Sequence, residues 1–375
     1  MGSLASDSFR RRVEGLLQEA DVIIDGDRPW DIQVHNGGLY EQVLAHGSLA
    51  LGEAYMGGWW DCPELDRFFH KILSAGLDSR VRSIGTALAS LKARLQNRQS
   101  VKRAFQVGEA HYDIGNDLYR RMLDSHMTYS CGYWREAGDL EKAQQSKLDL
   151  ICRKLHLAPG QKLLDIGCGW GGMARFAAER YGVEVVGVTI SREQAELARE
   201  LCRDLPVEIR LQDYRSLDES FDRVVSIGMF EHVGYKNYRT YMEVVGRCLR
   251  EDGLFLLHTI GGNSSVRTTD PWIERYIFPN GMLPSAIQIS RAIEGIFILE
   301  DWHNFGPDYD RTLMAWYRKF EDAWPELMER YGERFYRMWR YYLLSCAGAF
   351  RARVNQLWQI VLSKSGAPAG YRAPR

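Results

Sequence analysis

The chain has 375 residues, 45% apolar, 12% aromatic and 26% charged, a composition that excludes disordered, collagenous and coiled-coil classes and fits two or three domains. Its 48 Lys and Arg against 49 Asp and Glu leave a formal charge of −1, so no molecule-wide basic field argues for nucleic acid, and an anionic partner must be met by a local patch. Seven scattered cysteines (Cys62, Cys131, Cys152, Cys168, Cys202, Cys248, Cys346) form no Cys-x-x-Cys pair and no metal-spaced cluster. They read as thiols of a reducing cytosol, and no metal is expected.

The N-terminal stretch sets Arg10-Arg11-Arg12 among acids and has no apolar core of the signal-peptide kind. No later run reaches the roughly 18 apolar residues of a membrane span, so the chain is expected to be neither exported by a signal peptide nor membrane-spanning. From about Phe9 to Gly76 short helical runs surround one alternating, extended stretch at Trp30-Asp31-Ile32-Gln33-Val34, which reads as a small mixed domain. Tyr55-Met56-Gly57-Gly58-Trp59-Trp60 is either a packed corner or part of an apolar ligand surface. Between Arg80 and Arg103 lie seven basic residues and no acid, with Ile84, Leu88, Leu91 and Leu95 at helical spacing. That pattern predicts a basic amphipathic helix, either lying on an anionic membrane surface or packing between domains.

From Gln161 onward the pattern becomes strand then helix, with strands expected at Lys162–Ile166, Val183–Val188, Val207–Leu211, Arg223–Ile227 and Leu254–His258. Further strands are expected at Phe297–Trp302 and Leu357–Leu362, with a helical region rich in Trp, Tyr and Arg between them. This predicts an α/β fold with a doubly wound parallel sheet and an insertion near its end.

Within it, Leu163-Leu164-Asp165-Ile166-Gly167-Cys168-Gly169-Trp170-Gly171-Gly172 runs from strand through a glycine turn into a helix. Gly167, Gly169 and Gly172 satisfy G-x-G-x-x-G, so a dinucleotide enzyme is one reading. Two details favour another: Asp165 stands two residues before the first glycine, and Gly171 makes the turn denser. Both resemble the first motif of class I S-adenosylmethionine methyltransferases. Thr189 stands where most of those enzymes, and nicotinamide enzymes too, carry an acid for the ribose. Gln212-Asp213-Tyr214, at the end of the third strand, is suited to an adenine edge and face.

The runs Leu49–Trp60, His111–Leu118, Tyr129-Ser130-Cys131, Met229–Gly234 and Leu257–Gly261 together resemble the cyclopropane-fatty-acyl-phospholipid synthases and their mycolic-acid relatives, from about residue 30 to about residue 365. The resemblance implies a Rossmann-like methyltransferase domain over residues 104–375 and a smaller mixed or helical, lipid-facing domain over residues 1–103. The implied activity is methylene transfer from S-adenosylmethionine to a cis double bond in a phospholipid acyl chain. It further implies a bicarbonate base held by Cys131, Glu231, His258, the amide of Ile260, and Tyr309. Cys346 stands where the family carries a cysteine once proposed as catalytic, although the chemistry needs no thiol nucleophile. For the cofactor the resemblance adds Tyr129, Ser130, Thr189, Gln194, Gln212 and Asp213 to Asp165, Gly167, Gly169 and Gly171 of the turn. Glu231-His232 as ordinary loop polarity, His258 as a structural histidine and Cys131 as a small buried hydrophobe are the plainer readings. The implied partners are an unsaturated phospholipid, an anionic membrane surface at the inner face of the cytoplasmic membrane, and a second copy in a homodimer. The alternatives are a fatty-acyl methyltransferase stopping at a branched or methylene product, a small-molecule methyltransferase, and a membrane-binding module with a vestigial pocket.

Overall fold

The computed structural model describes residues 2–80, 115–367 and 369–375. The chain divides into two compact units, the first Met1–Gln96, Arg267–Pro279 and Leu313–Asn355, the second Asn97–Val266, Asn280–Thr312 and Gln356–Arg375. The units interleave in sequence, so two segments of the C-terminal half, Arg267–Pro279 and Leu313–Asn355, belong to the first unit. The boundary expected at residue 103, the basic helix beyond Arg80 and His111-Tyr112-Asp113-Ile114 lie outside the described residues.

The first unit holds helices Gly2–Glu19, Gly38–His46, Ser48–Met56, Leu65–Ser74, Leu77–Arg80 and Pro271–Tyr276, and most of the helical run Pro307–Arg351, which breaks at Gly332 (φ 73°). The expected extended stretch shortens to β1, Gln33–Val34, paired antiparallel with β2, Trp60–Asp61. The reason is Asp31: its buried carboxylate accepts the amides of Ile23 (2.8 Å) and Arg28 (3.1 Å) and the Arg28 guanidinium (2.9 Å), which curls the chain into a turn. The aromatic segment is a packed corner: Tyr55 and Trp60 are buried edge to face at 5.1 Å, Trp60 Nε1 donates to Leu51 O, and the Arg337 guanidinium covers Tyr55 at 4.2 Å.

The second unit is built on seven strands: β3 Lys162–Ile166, β4 Glu184–Thr189, β5 Val207–Leu211, β6 Phe221–Ile227, β7 Leu249–Gly262, β8 Ile298–Asn304 and β9 Asn355–Ser363. Their order is β5-β4-β3-β6-β7-β9-β8; β5 through β7 run parallel and β8 pairs antiparallel with β9. Alternate residues feed opposite faces. Leu164, Val186, Val224, Phe255 and Ile360 join one core cluster, while Leu163, Val185, Val225, Leu256 and Val361 join the other. Burial on both faces explains why these strands read as near-continuous Val/Leu/Ile runs. Helices Tyr238–Cys248 and Ala286–Ile293 cover the first face, Leu140–Lys154 and Gly172–Tyr181 the second. Between β3 and β6 the winding reverses, and in open α/β sheets the carboxyl ends of strands at such a point form the ligand crevice.

Candidate active site

Asp165 to Gly172 leaves β3 at that crevice. Gly167, Gly169 and Gly171 have φ of 83°, 54° and 81°, a left-handed conformation that side chains with a Cβ resist. Gly167 also faces the loop after β6, where an added Cβ would stand 2.7 Å from Met229. Gly172, which opens the following helix, leaves no room either, since a Cβ there would lie 2.2 Å from the His126 carbonyl oxygen. Asp165 is buried with Oδ2 unpartnered among the described residues. Desolvation raises it to about 7, against the lowering effect of Lys147.

Lys147 is a site residue that sequence reasoning missed. It is 0% exposed, on helix Leu140–Lys154, and Nζ donates to Ser130 Oγ at 2.9 Å. Burial lowers it to about 8, and its charge acts on Asp165, Cys131 and His258. Gln144, three residues earlier and so on the same helix face, donates through Nε2 to the carbonyls of Ser130 (2.8 Å) and Thr128 (3.4 Å). Together they hold Tyr129-Ser130-Cys131. The available signal was two polar side chains at i, i+3 within an apolar stripe. Nearby, Asp124, His126 and Glu141 bring potential metal-ligand atoms within 4.8 Å of one another. Their carboxylates are occupied as turn acceptors, Asp124 by His126 N and Thr128 N and Glu141 by Ser125 N.

At the end of β4, Thr189 Oγ1 donates to Gln194 Oε1 at 3.0 Å, and Ser191 caps the next helix through Gln194 N. After β5, Asp213 accepts from the amide and guanidinium of Arg215 (both 2.9 Å), and Gln212 Nε2 donates to Ser216 Oγ at 3.1 Å. Tyr214 is not an open adenine platform. It is buried in the core, edge to face with Tyr241 at 5.0 Å, because the short helical turn after Asp213 directs it inward.

Glu231 lies in the turn Phe230–His232 that follows β6. Its Oε1 accepts the Ile260 amide at 2.7 Å, whereas Oε2 has no partner among the described residues. Desolvation pushes it up to about 7, with the amides of Ile260 and of Glu231 itself and the Thr259 hydroxyl opposing. The Ile260 amide, expected to face an anion, is therefore engaged by Glu231. His258, two residues earlier on β7, is 1% exposed; Nδ1 faces Gln359 Nε2 at 3.3 Å, and Nε2 is unpartnered among the described residues. Burial, then the charges of Lys147 and Lys154, hold it well below its ordinary value and hence neutral.

Cys131 is fully buried, its thiol pushed well above its usual range by desolvation and donating to Gly132 O at 3.2 Å. Thr312 Oγ1 accepts from Gly132 N (3.1 Å) and Trp134 Nε1 (2.8 Å). This ties the Cys131 loop to the first turn of the helix that carries buried Tyr309, one turn from Thr312. Cys131, Asp165 and His258 thus share the field of one buried lysine, and Glu231 is bound to the strand that carries His258. Cys346 belongs to the first unit, its thiol pushed up to about 12 by desolvation.

A seven-stranded sheet of this order, with the glycine turn at its point of reversal, defines a class I S-adenosylmethionine-dependent methyltransferase. Residues 99–360 match the family described as mycolic acid cyclopropane synthetase, and the chain belongs to that family. It is 56% identical over 374 residues to the cyclopropane-fatty-acyl-phospholipid synthase of Escherichia coli (strain K12), covering 100% of this chain and 98% of that one. Its fold matches the cyclopropane synthase MmaA2 from Mycobacterium tuberculosis with a TM-score of 0.65 at 34% identity, over 69% of this chain and 98% of that one. The figures are the same for mycolic acid cyclopropane synthase CmaA1, solved in complex with SAH and CTAB.

Proposed function

We propose that the second unit uses the carboxyl edge of its sheet to bring S-adenosylmethionine against a cis double bond of a phospholipid acyl chain, with bicarbonate bound beside it as the base. S-adenosylmethionine-dependent synthesis of cyclopropane fatty acyl phospholipids is the activity. The alkene's π pair attacks the sulfonium methyl, and the C–S pair leaves with sulfur. A methyl proton is then lost as its C–H pair closes the ring. An alkene is a weak nucleophile, so the residues must hold it in line and exclude water.

The observation that carries this reading is the pair of buried, unpartnered atoms, Glu231 Oε2 and His258 Nε2. A buried polar atom without a partner is costly unless a ligand completes it, and an imidazole N–H and a protonated carboxyl are each groups that a small oxyanion would complete. Bicarbonate, when bound, supplies a proton acceptor that no neutral thiol or buried imidazole here provides. His258 and Tyr309 would donate to it, Cys131 would line it, and Glu231, near neutrality, would share a proton with it. The Ile260 amide orients the Glu231 carboxyl. Asp165, Gly167, Gly169, Gly171, Tyr129, Ser130, Thr189, Gln194, Gln212 and Asp213 would hold the methyl donor.

The test is incubation with unsaturated phospholipid vesicles and labelled S-adenosylmethionine, followed by mass analysis of the acyl chains. Gain of one CH2 with loss of the alkene signal supports ring formation; a branched or methylene product makes this a fatty-acyl methyltransferase. Bicarbonate depletion should stop ring closure and add-back restore it, and indifference refutes the bicarbonate base.

Access to a bilayer substrate would come from peripheral association with the anionic cytoplasmic face of the membrane. Among the described residues no helix is long and apolar enough to cross one. The basic segment from Arg80 to Arg103 supports this part of the proposal, with about 1 kcal/mol per basic residue near the surface. Vesicle sedimentation should weaken with salt, and salt-independent binding refutes it. A homodimer, giving two contacts per particle, is tested by sedimentation velocity.

A further inference from the structure

We infer that Gln359 is a positioning residue that locks His258 as the tautomer carrying its hydrogen on Nε2, so that His258 serves as a neutral hydrogen-bond donor to an oxyanion and not as the base. The inference rests on the bicarbonate reading for its purpose and on separate observations for its content. Gln359 is fully buried on β9, the strand beside β7, and Nε2 of its amide faces His258 Nδ1 at 3.3 Å. In this orientation the Gln359 amide turns Nε2 toward Nδ1 and leaves its own Oε1 unpartnered among the described residues. An amide nitrogen has no lone pair to offer, so here Nδ1 is the acceptor, and in a neutral imidazole the single hydrogen then sits on the ring's Nε2. That is the nitrogen left unpartnered among the described residues.

The surroundings keep the ring neutral. The charged and titratable groups around it include Lys147 and Lys154, both of which disfavour an imidazolium, as does burial. Lys154 sits on the far side of the same polar row. It donates to His303 Nδ1 at 3.2 Å and pairs with Asp301 at 3.1 Å, and His303 lies directly across from Gln359 in the β8–β9 ladder. A neutral His258 with Nε2–H has no lone pair there, so the proton released on ring closure goes to the anion or to Glu231.

The tautomer is read directly in full-length protein with isotope-labelled histidine ring nitrogens, free of bicarbonate, by long-range proton–nitrogen correlation, with His258 assigned by its loss in His258→Gln. Wild type should show hydrogen on Nε2. Gln359→Glu, whose carboxylate only accepts, should move it to Nδ1, and Gln359→Met should leave averaged signals. If the buried charge prevents Gln359→Glu from folding, Gln359→Met carries the test. It should lower kcat about 10- to 100-fold, the usual cost of losing a residue that orients a site histidine, with KM for S-adenosylmethionine unchanged. Hydrogen on Nδ1 in wild type, or on Nε2 in wild type and every folded variant, overturns the inference. Restored activity on bicarbonate add-back together with Nδ1–H would retire this inference alone. Nε2–H without any add-back response would retire the bicarbonate base and leave the tautomer lock standing.

Discussion

Replacing Lys147 with methionine separates its electrostatic role from its structural one. Burial takes the ammonium from 10.5 to about 8, so the folded chain holds that proton less firmly than the unfolded chain by about 3 kcal/mol. Methionine removes that cost but also removes the bond to Ser130, a charge-assisted contact of about 1.5–3 kcal/mol. The two nearly offset, and Tm should move by no more than roughly 2–4 °C. Between about pH 8 and pH 10.5 the unfolded wild type binds more protons, so Lys147 makes wild-type stability rise across that window, and Lys147→Met should lose that share of the slope. The larger effect falls on Asp165, already at about 7 with Lys147 lowering it. Without the ammonium it climbs further and is mostly protonated at neutrality. Calorimetry should show S-adenosylmethionine binding about tenfold weaker near pH 7, or ~1.4 kcal/mol, recovering as pH rises and the carboxylate ionises. Wild-type affinity at every pH would refute the link between Lys147, Asp165 and the methyl donor.

Gly169→Val should abolish S-adenosylmethionine binding in calorimetry while the fold survives: the left-handed φ costs about 1–2 kcal/mol, and no neighbour lies within 4 Å of the new Cβ. Retained affinity would remove the turn from the site. Glu231→Gln keeps the acceptor for Ile260 N but loses the ionisable group, so the limb of the pH–activity profile near 7 should disappear. Because Glu231 is raised from 4.5 to about 7, its stabilising contribution is full below about 4.5 and lost as pH rises through about 7, worth about 3 kcal/mol; denaturation of Glu231→Gln should lack that slope. Cys346→Ser should retain much of the ring-forming activity, and complete loss with an intact fold would revive a chemical role for that thiol.

The glycine turn and the strands β3, β5 and β6 were readable from the chain because each is encoded locally. Strands buried on both faces are apolar runs, and a turn with three positive φ values requires glycines at those positions. The Trp30–Val34 stretch misled because alternation does not say which polar residue will be buried, and Asp31 was. Tyr214 misled for the converse reason, since its place at a strand end said nothing of Tyr241 and the core waiting for it. Cys131, Glu231, His258 and Tyr309 were reached through family resemblance, whereas Gln144, Lys147 and Gln359 were not reached at all.

Local pattern alone therefore indicated the α/β class, the glycine turn and the likeness to cyclopropane-forming enzymes, since periodicity, φ demands and contiguous motifs are properties of neighbouring residues. The folded chain alone decided that the Glu231 carboxyl would be buried and raised to about 7, that it would take the Ile260 amide, and that Lys147 and Gln359 would stand against Ser130 and His258. Those outcomes depend on which groups lose water and what stands beside them, and the partners come from far away in sequence: Gln359 and His258 are 101 positions apart.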